Sequence, residues 1–105
     1  MPLIAAYGGA KAALRSFARV FAAELLPRGI RVNAVSPGPT ETPIIGKTFP
    51  DKATADQLMA QMREAVPMKR FGKAEEVAKA VLFLAFDATF TTGVELPVDG
   101  GWLQL

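Results

Sequence analysis

The sequence predicts an α/β protein, because a helical pattern followed by a short turn and a β-branched strand occurs twice along the chain. The first pair is a helix over residues 7–26 and a strand over residues 31–36. The second pair is a helix over residues 74–86 and a strand over residues 94–98. A single unit over residues 1–105 is expected, since 105 residues that are 50% hydrophobic suffice for one small domain and not for two.

The first helix has one apolar face, on which large side chains recur every three or four residues. These side chains are Leu14, Phe17, Phe21 and Leu25. The alanines between them favour helix and leave little bulk beside the face. Gly29 follows the helix and suits a left-handed cap at its end.

The two predicted strands differ in their surroundings. Residues 30–36 are rich in apolar and β-branched side chains and lie between Gly29 and Pro37, which predicts a strand buried on both faces of a parallel sheet. Residues 94–98 include Pro97, which lacks the backbone N–H that a ladder needs. This strand is therefore expected at or near an edge.

Residues 37–68 are expected to form a loop and a lid. Residues 37–50 contain four prolines and two glycines, which exclude a regular element. A short helix is predicted near Thr54–Ala65, with Thr54 and Gln57 as a capping box. Since α/β proteins bind ligands in loops that directly follow parallel strands, this segment is a candidate binding region.

The helix over residues 74–86 begins with two acidic residues, Glu75 and Glu76, which suit the positive end of the helix dipole. Its spacing predicts a buried apolar face. The side chains expected on that face are Val77, Val81, Leu84 and Ala85.

Composition excludes several classes of function. Cysteine and histidine are absent, which removes disulfides, the commonest metal ligands and every catalytic arrangement built on histidine, so no metal site is expected. The 12 basic and 10 acidic side chains leave a net charge of +2, too small to indicate nucleic-acid binding. Neither a membrane-spanning apolar run nor a signal-peptide pattern is evident, so a cytoplasmic protein is expected.

Tyr7 and Lys11 are the first candidates for acid–base chemistry. They are four residues apart in the first predicted helix and share one of its faces. An ammonium group a few ångströms from a phenol favours the phenolate and lowers its pKa, so such a pair suits proton exchange with a carbonyl oxygen. The alternative is an ordinary surface pair at helical spacing.

The loop after the first strand is the second candidate site. Gly38 allows the backbone to approach a ligand closely, and the hydroxyls and backbone groups of Thr40 and Thr42 suit an amide or a phosphate. The alternative is a proline-rich turn that binds nothing. Asp99–Gly101 is interpreted as a plain turn rather than as a cation or phosphate loop.

Four segments match a known set of motifs in order and spacing. Tyr7 and Lys11 form a Tyr-x-x-x-Lys motif, and residues 29–38 form a strand with a Pro-Gly loop. Arg70–Ala78 matches the start of a long helix, and Thr92–Gly101 a final strand and turn. The chain thereby resembles the carboxyl-terminal part of the short-chain dehydrogenase/reductase family. This implies part of a doubly wound Rossmann-type fold, with about three helices and two parallel strands.

The resemblance implies an NAD(P)-dependent oxidoreductase that moves hydride between nicotinamide and a carbonyl or secondary alcohol. It makes Tyr7 the acid/base at the substrate oxygen and places both Tyr7 and Lys11 at the cofactor. Lys11 bonds the nicotinamide ribose and lowers the Tyr7 pKa. The Thr40 backbone would face the nicotinamide carboxamide, with Thr42 and Pro37–Gly38 nearby. The family usually has an aliphatic residue where Thr40 stands.

The resemblance also indicates what the sequence does not contain. Ile44–Met68 would be the variable substrate lid, but family members are about two and a half times as long as this chain. The glycine-rich phosphate turn, the residue that selects the cofactor and the serine that orients the carbonyl have no counterpart. The alternative function is therefore a truncated, catalytically incompetent remnant that retains only oligomerisation surfaces.

Partners follow from the same resemblance. The parent family uses NAD or NADP and a small carbonyl or alcohol substrate, and the alternative that this chain alone binds no cofactor stays open. The helix over residues 7–26 and the final strand and helix build dimers and tetramers in the family. A homo-oligomer, or association with the missing amino-terminal half, is expected, and neither nucleic acid nor a membrane is an expected partner.

Overall fold

A computed structural model describes the backbone of residues 2–41, 47–48 and 51–105, and the side chains of these ranges from Gly8 onward. The chain divides into two compact units. Unit 1 comprises Met1–Ala34 and Phe83–Leu96, and unit 2 comprises Val35–Leu82 and Pro97–Leu105.

Unit 1 begins with a long helix, α1 (Pro2–Leu25), which starts at Pro2 rather than at residue 7. Proline is tolerated in a first helical turn because the N–H that it lacks would have no partner there. A 3-10 turn over Leu26–Arg28 follows and ends at Gly29. The Gly29 φ of 73° and its N–H bond to the Leu26 carbonyl, 2.9 Å long, confirm the predicted left-handed cap.

The apolar face of α1 is exposed. Leu14 and Phe17 are 58% and 57% exposed, and Phe21 stacks on Phe17 with 6.3 Å between ring centroids. Ala22 is buried instead, beside Gly93. Within unit 1, α1 therefore packs through the small side chain of Ala22, whereas Leu14, Phe17 and Phe21 are exposed.

The strands β1 (Ala34–Pro37) and β2 (Glu95–Val98) are neighbours in a two-stranded sheet, and the predicted parallel pair is confirmed. The Ala34 N–H donates to the Val94 carbonyl at 2.9 Å. β1 is half-buried rather than buried on both faces. Among the described residues the sheet has two strands, so one edge of β1 has no neighbouring strand.

β1 also begins later than predicted, at Ala34 rather than at residue 31. Just before β1, the Asn33 side chain makes hydrogen bonds to the backbone where a strand would make backbone ladder bonds. Its Nδ2 donates to the Thr91 carbonyl and its Oδ1 accepts from the Val94 N–H, each at 3.1 Å. Because a side-chain amide occupies these bonding positions, the regular ladder starts only after it.

Unit 2 contains the helix α2 (Lys52–Ala65), which Asp51 caps. The Asp51 carboxylate accepts from the Ala53 N–H at 3.3 Å and from the Thr54 hydroxyl at 2.6 Å. The predicted cap at Thr54 is wrong, because the carboxylate before it binds both the backbone and the Thr54 hydroxyl. The helix therefore starts before Thr54.

The helix α3 (Ala74–Leu82) ends earlier than predicted and continues as a π turn over Phe83–Asp87. The Ala88 N–H donates to the Phe83 carbonyl at 2.8 Å, which is the wider spacing of a π turn. In unit 1 the Arg31 guanidinium binds two carbonyls of this turn. It donates to Leu84 at 2.7 Å and to Ala85 at 2.8 Å.

The predicted buried face of the last helix is only partly buried. Leu84 is 6% exposed, whereas Val81 is 48% exposed, Val77 is half-buried and Ala85 is exposed. The buried member of the face, Leu84, lies in the π turn, whereas Val77 and Val81 lie in the regular helix before it.

The described core is small and consists of a few apolar side chains in each unit. They are Ala22, Leu84 and Ala88 in unit 1, and Ala55, Val66 and Phe71 in unit 2. Among the described residues, none of the helices combines the length and the apolarity needed to traverse a lipid bilayer.

Candidate functional site

The candidate catalytic residues Tyr7 and Lys11 both lie in α1, in unit 1. A separation of four residues places them on one face of the helix. Lys11 is exposed, and the Tyr7 side chain lies outside the described residues. The helical register that the pair requires is present, and its catalytic role stays a prediction.

The candidate loop begins where β1 ends, in unit 2. The Gly38 N–H donates to the Val98 carbonyl at 3.0 Å, next to the exposed Pro37. A Cβ on Gly38 would lie 2.7 Å from both the Cα and the Cβ of Asp99. Glycine is required here because the turn after β2 runs directly against the loop.

Thr40 forms an isolated parallel bridge with Gly72. The bridge consists of two hydrogen bonds of 2.9 Å, from the Gly72 N–H to the Pro39 carbonyl and from the Glu41 N–H to the Gly72 carbonyl. The residues on either side of Thr40 make these bonds. Since backbone groups alternate in direction along an extended chain, the Thr40 N–H and C=O point to the opposite edge of the loop.

These two groups of Thr40 suit a primary carboxamide. A carboxamide has an oxygen that accepts from an N–H and an NH₂ group that donates to a carbonyl. The Thr40 hydroxyl has a different partner, since it donates to the Gly38 carbonyl at 2.8 Å. The hydroxyl therefore stabilises the loop, and a binding role for the backbone N–H and C=O of Thr40 stays a prediction.

The predicted site residues thus fall into two groups. Pro37, Gly38 and Thr40 come together in one turn of unit 2. Tyr7 and Lys11 belong to unit 1. Thr42 lies outside the described residues, so its place beside a cofactor stays a prediction.

The segment around Gly72 carries an ion pair that sequence reasoning missed. Arg70 donates through Nη1 and Nη2 to both carboxylate oxygens of Glu76, at 2.8 and 3.0 Å, and Glu76 also accepts from the Lys73 N–H at 3.0 Å. Hydrogen bonding from Arg70 lowers the pKa of Glu76 to about 2, and Glu76 in turn raises the pKa of Arg70. The two residues are six apart, a spacing that helical periodicity does not bring together, so only the presence of Glu76 in a first helical turn offered a signal.

The Asp99–Gly101 segment is a turn, as the sequence predicted. The Asp99 carboxylate accepts from the Gly101 N–H at 2.9 Å and from the Leu103 N–H at 3.2 Å. Gly100 and Gly101 have φ angles of 63° and 90°, which glycine adopts readily. In the part of the chain that the structure describes, no three acidic side chains are grouped so as to hold a metal ion.

Comparison with known proteins extends the match across the chain. The family model described as Enoyl-(Acyl carrier protein) reductase matches residues 1–103. The chain is 40% identical over 99 residues to the 2,5-dichloro-2,5-cyclohexadiene-1,4-diol dehydrogenase LinX of Sphingobium indicum, a match that covers 93% of this chain and 37% of LinX.

Two solved structures have the same fold over most of the chain. A short-chain dehydrogenase family protein from Francisella tularensis subsp. tularensis SCHU S4 has a TM-score of 0.84 and 31% identity, over 95% of this chain and 44% of that protein. YwfH, an NADPH-dependent reductase involved in bacilysin biosynthesis, has a TM-score of 0.74 and 31% identity, over 90% of this chain and 38% of its own.

The chain belongs to the short-chain dehydrogenase/reductase family. The resemblance to the carboxyl-terminal part of that family is confirmed, as is the α/β fold class. The chain spans less than half the length of these short-chain dehydrogenase/reductase relatives. The site roles of Tyr7, Lys11 and Thr40 stay predictions.

Proposed function

We propose that the chain supplies the catalytic helix and the nicotinamide-facing loop of an NAD(P)-dependent oxidoreductase. The observation that carries this proposal is the direction of the Thr40 peptide groups, which turn away from Gly72 and complement a carboxamide. A nicotinamide carboxamide fits that donor and acceptor pair. Membership in a family with an NADPH-dependent relative, YwfH, supports the same assignment.

The proposed chemistry is the interconversion of a carbonyl and a secondary alcohol, for which bound nicotinamide supplies or accepts the hydride. Tyr7 gives a proton to the substrate oxygen, or removes one, according to the direction of the reaction. Lys11 lies one helical turn further along α1, where its ammonium favours the phenolate of Tyr7 and binds the nicotinamide ribose.

Residues Ile44–Met68 serve as the substrate lid in this proposal. Within unit 2 the far end of that segment is firmly held, since Val66 is 1% exposed and the Met68 N–H donates to the Gly100 carbonyl at 3.1 Å. A Cβ on Gly100 would lie 2.7 Å from Val66 Cγ1, so Gly100 is needed for this close packing. The helix α2 therefore extends from a fixed base.

The adenosine half of the cofactor needs additional polypeptide. The sequence contains no glycine-rich phosphate turn, so in this proposal the same chain or another one supplies it. The test is a titration with NADH and with NADPH, followed by nicotinamide fluorescence. Saturable binding is expected for a protein that combines residues 1–105 with a phosphate-binding turn, and not for residues 1–105 alone. If that combined protein binds neither cofactor, the proposal is contradicted.

A second candidate function is assembly without catalysis, the role of a remnant that retains only oligomerisation surfaces. The exposed apolar face of α1 favours it, since Leu14, Phe17 and Phe21 together present a patch of a kind that often marks an interface. Light scattering is expected to give a mass above that of one chain. A monodisperse monomer with a cooperative thermal transition would contradict this candidate.

A further inference from the structure

Gly72, which pairs with Thr40, lies between two residues that bind the Glu76 carboxylate. Gly72 makes both bonds of the bridge. Before Gly72 in the chain, the Arg70 guanidinium binds Glu76 through two hydrogen bonds, and after Gly72 the Lys73 N–H binds the same carboxylate. Glu76 therefore spans the bridging residue and limits its movement.

The intervening residue Phe71 adds to this restraint. It is 8% exposed, and the Arg63 guanidinium carbon lies 5.5 Å from the centre of its ring. Arg70 Nη1 also donates to the Phe71 carbonyl at 3.1 Å. The backbone that leads into Gly72 is thus fixed by burial and by a charged donor.

A neighbouring ion pair provides a contrast. Lys69 Nζ donates to the Glu64 side chain at 2.9 Å and to the Glu64 carbonyl at 2.6 Å. The two side chains are 57% and 79% exposed, and their bonds close the turn after α2 rather than holding Gly72. Similar chemistry is therefore present a few residues away without a link to Thr40.

We propose that Glu76 is a positioning residue for the nicotinamide ring, because it fixes Gly72 and thereby the direction in which the Thr40 N–H and C=O face the carboxamide. This inference rests on the proposed function of the Thr40 loop. Two groups held in place bind a carboxamide with less loss of entropy than two groups that must first be ordered. The effect is confined to the nicotinamide end, since the adenosine end of the cofactor does not contact Thr40 in the proposed arrangement.

The test compares Glu76→Gln with Glu64→Gln in the protein that combines residues 1–105 with a phosphate-binding turn. Glutamine keeps the shape of Glu76 but places an NH₂ group where Arg70 needs an acceptor. Residue-resolved hydrogen exchange is expected to be about fivefold faster at the Glu41 and Gly72 amides in Glu76→Gln, and unchanged in Glu64→Gln. Equal rates in the two variants would overturn the proposal.

A binding comparison separates positioning from a general loss of structure. The dissociation constant for NADH is expected to rise about fivefold in Glu76→Gln, while that for ADP-ribose, which lacks nicotinamide, stays the same. An equal loss for both ligands would overturn the positioning role. If the unmodified protein binds ADP-ribose and NADH with the same affinity, the nicotinamide does not contribute to binding and the proposed function fails. Hydrogen exchange would still measure the link between Glu76 and the bridge.

A second variant guards against a folding defect. Arg70→Lys keeps the charge but removes the planar fork that binds both oxygens of Glu76. It is expected to accelerate exchange at Glu41 as Glu76→Gln does, with an unchanged far-ultraviolet circular dichroism spectrum. Normal exchange at Glu41 in Arg70→Lys would contradict the proposed path through Gly72.

Discussion

Gly38 and Asp99 approach so closely that a methyl group on Gly38 would lie 2.7 Å from the Asp99 Cα. The two residues follow β1 and β2, so their contact fixes one loop against the other at the ends of the strands. The Gly38 N–H bond to Val98, 3.0 Å long, holds the same arrangement.

Replacing Gly38 with alanine is expected to lower the free energy of unfolding by about 1–3 kcal/mol, the usual cost of overpacking. The clash is with the Asp99 backbone, which cannot move aside as a flexible side-chain end can. Urea denaturation of the two proteins measures the difference.

The matched control is Gly9→Ala in α1, where an added Cβ meets nothing within 4 Å. Alanine stabilises a helix relative to glycine by about 0.5–1 kcal/mol, so the control is expected to shift the midpoint upward. Equal effects at the two glycines would show that the contact with Asp99 does not restrain the loop.

The Tyr7→Phe substitution is expected to reduce turnover by about 10²–10⁴-fold in the protein that contains the full active site. The change removes the phenol oxygen, and with it the group proposed to move the proton at the substrate oxygen. Steady-state oxidation of NADH or NADPH measures the rate.

The binding of the reduced cofactor serves as the control for Tyr7→Phe. Its affinity is expected to remain close to that of the unmodified protein, because the Thr40 loop belongs to a different unit and is unaltered. Unchanged turnover would remove Tyr7 from the proposed catalytic role.

The Arg70–Glu76 pair is expected to respond to acid. Hydrogen bonds from Arg70 lower the pKa of Glu76 from the ordinary value of 4.5 to about 2. Because the folded-state pKa lies below the unfolded value, the stabilisation by this pair is complete above pH 4.5 and is lost as the pH falls toward 2. A carbon-13 NMR titration of the Glu76 carboxyl group measures the midpoint.

Arg70→Gln tests the cause of that low midpoint. Without the guanidinium, the Glu76 carboxyl group is expected to titrate nearer to its ordinary value. The same midpoint in both proteins would mean that the backbone N–H of Lys73, rather than Arg70, is the main origin of the shift.

Substitution of Phe17 by glutamate is expected to reduce the number of chains in the oligomer. Phe17 is 57% exposed and stacks on Phe21, so a carboxylate there places a charge in the centre of the apolar face of α1. Size-exclusion chromatography with light scattering is expected to show a smaller mass than for the unmodified chain.

Phe90→Glu is the control for surface charge, because Phe90 is fully exposed and lies outside α1. It is expected to leave the mass unchanged. If Phe90→Glu disrupts the assembly and Phe17→Glu does not, the α1 face is not the interface.

Features that depend on adjacent residues were predictable from the sequence. The cap at Gly29 requires only a glycine at the end of a helix, and the Asp99 turn requires only a short polar side chain before two glycines. The register of Tyr7 and Lys11 follows from helical periodicity alone.

Features that depend on the folded chain were not predictable. Arg31 reaches the Leu84 carbonyl across 53 residues of sequence, and no local pattern indicates that contact. The direction of the Thr40 peptide is set by Gly72, which lies beyond the whole of α2. The candidate site was therefore found as a set of residue types, while its geometry depends on a pairing between distant segments.

The bridge between Thr40 and Gly72 has a consequence for how substrate preference can diversify. It holds Thr40 and Gly72, which flank the intervening segment, side by side. Insertions, deletions or substitutions within this segment leave the bridge in place, because a change in loop length costs little free energy. In the proposed function, such changes can alter the substrate preference without changing the direction of the Thr40 peptide groups.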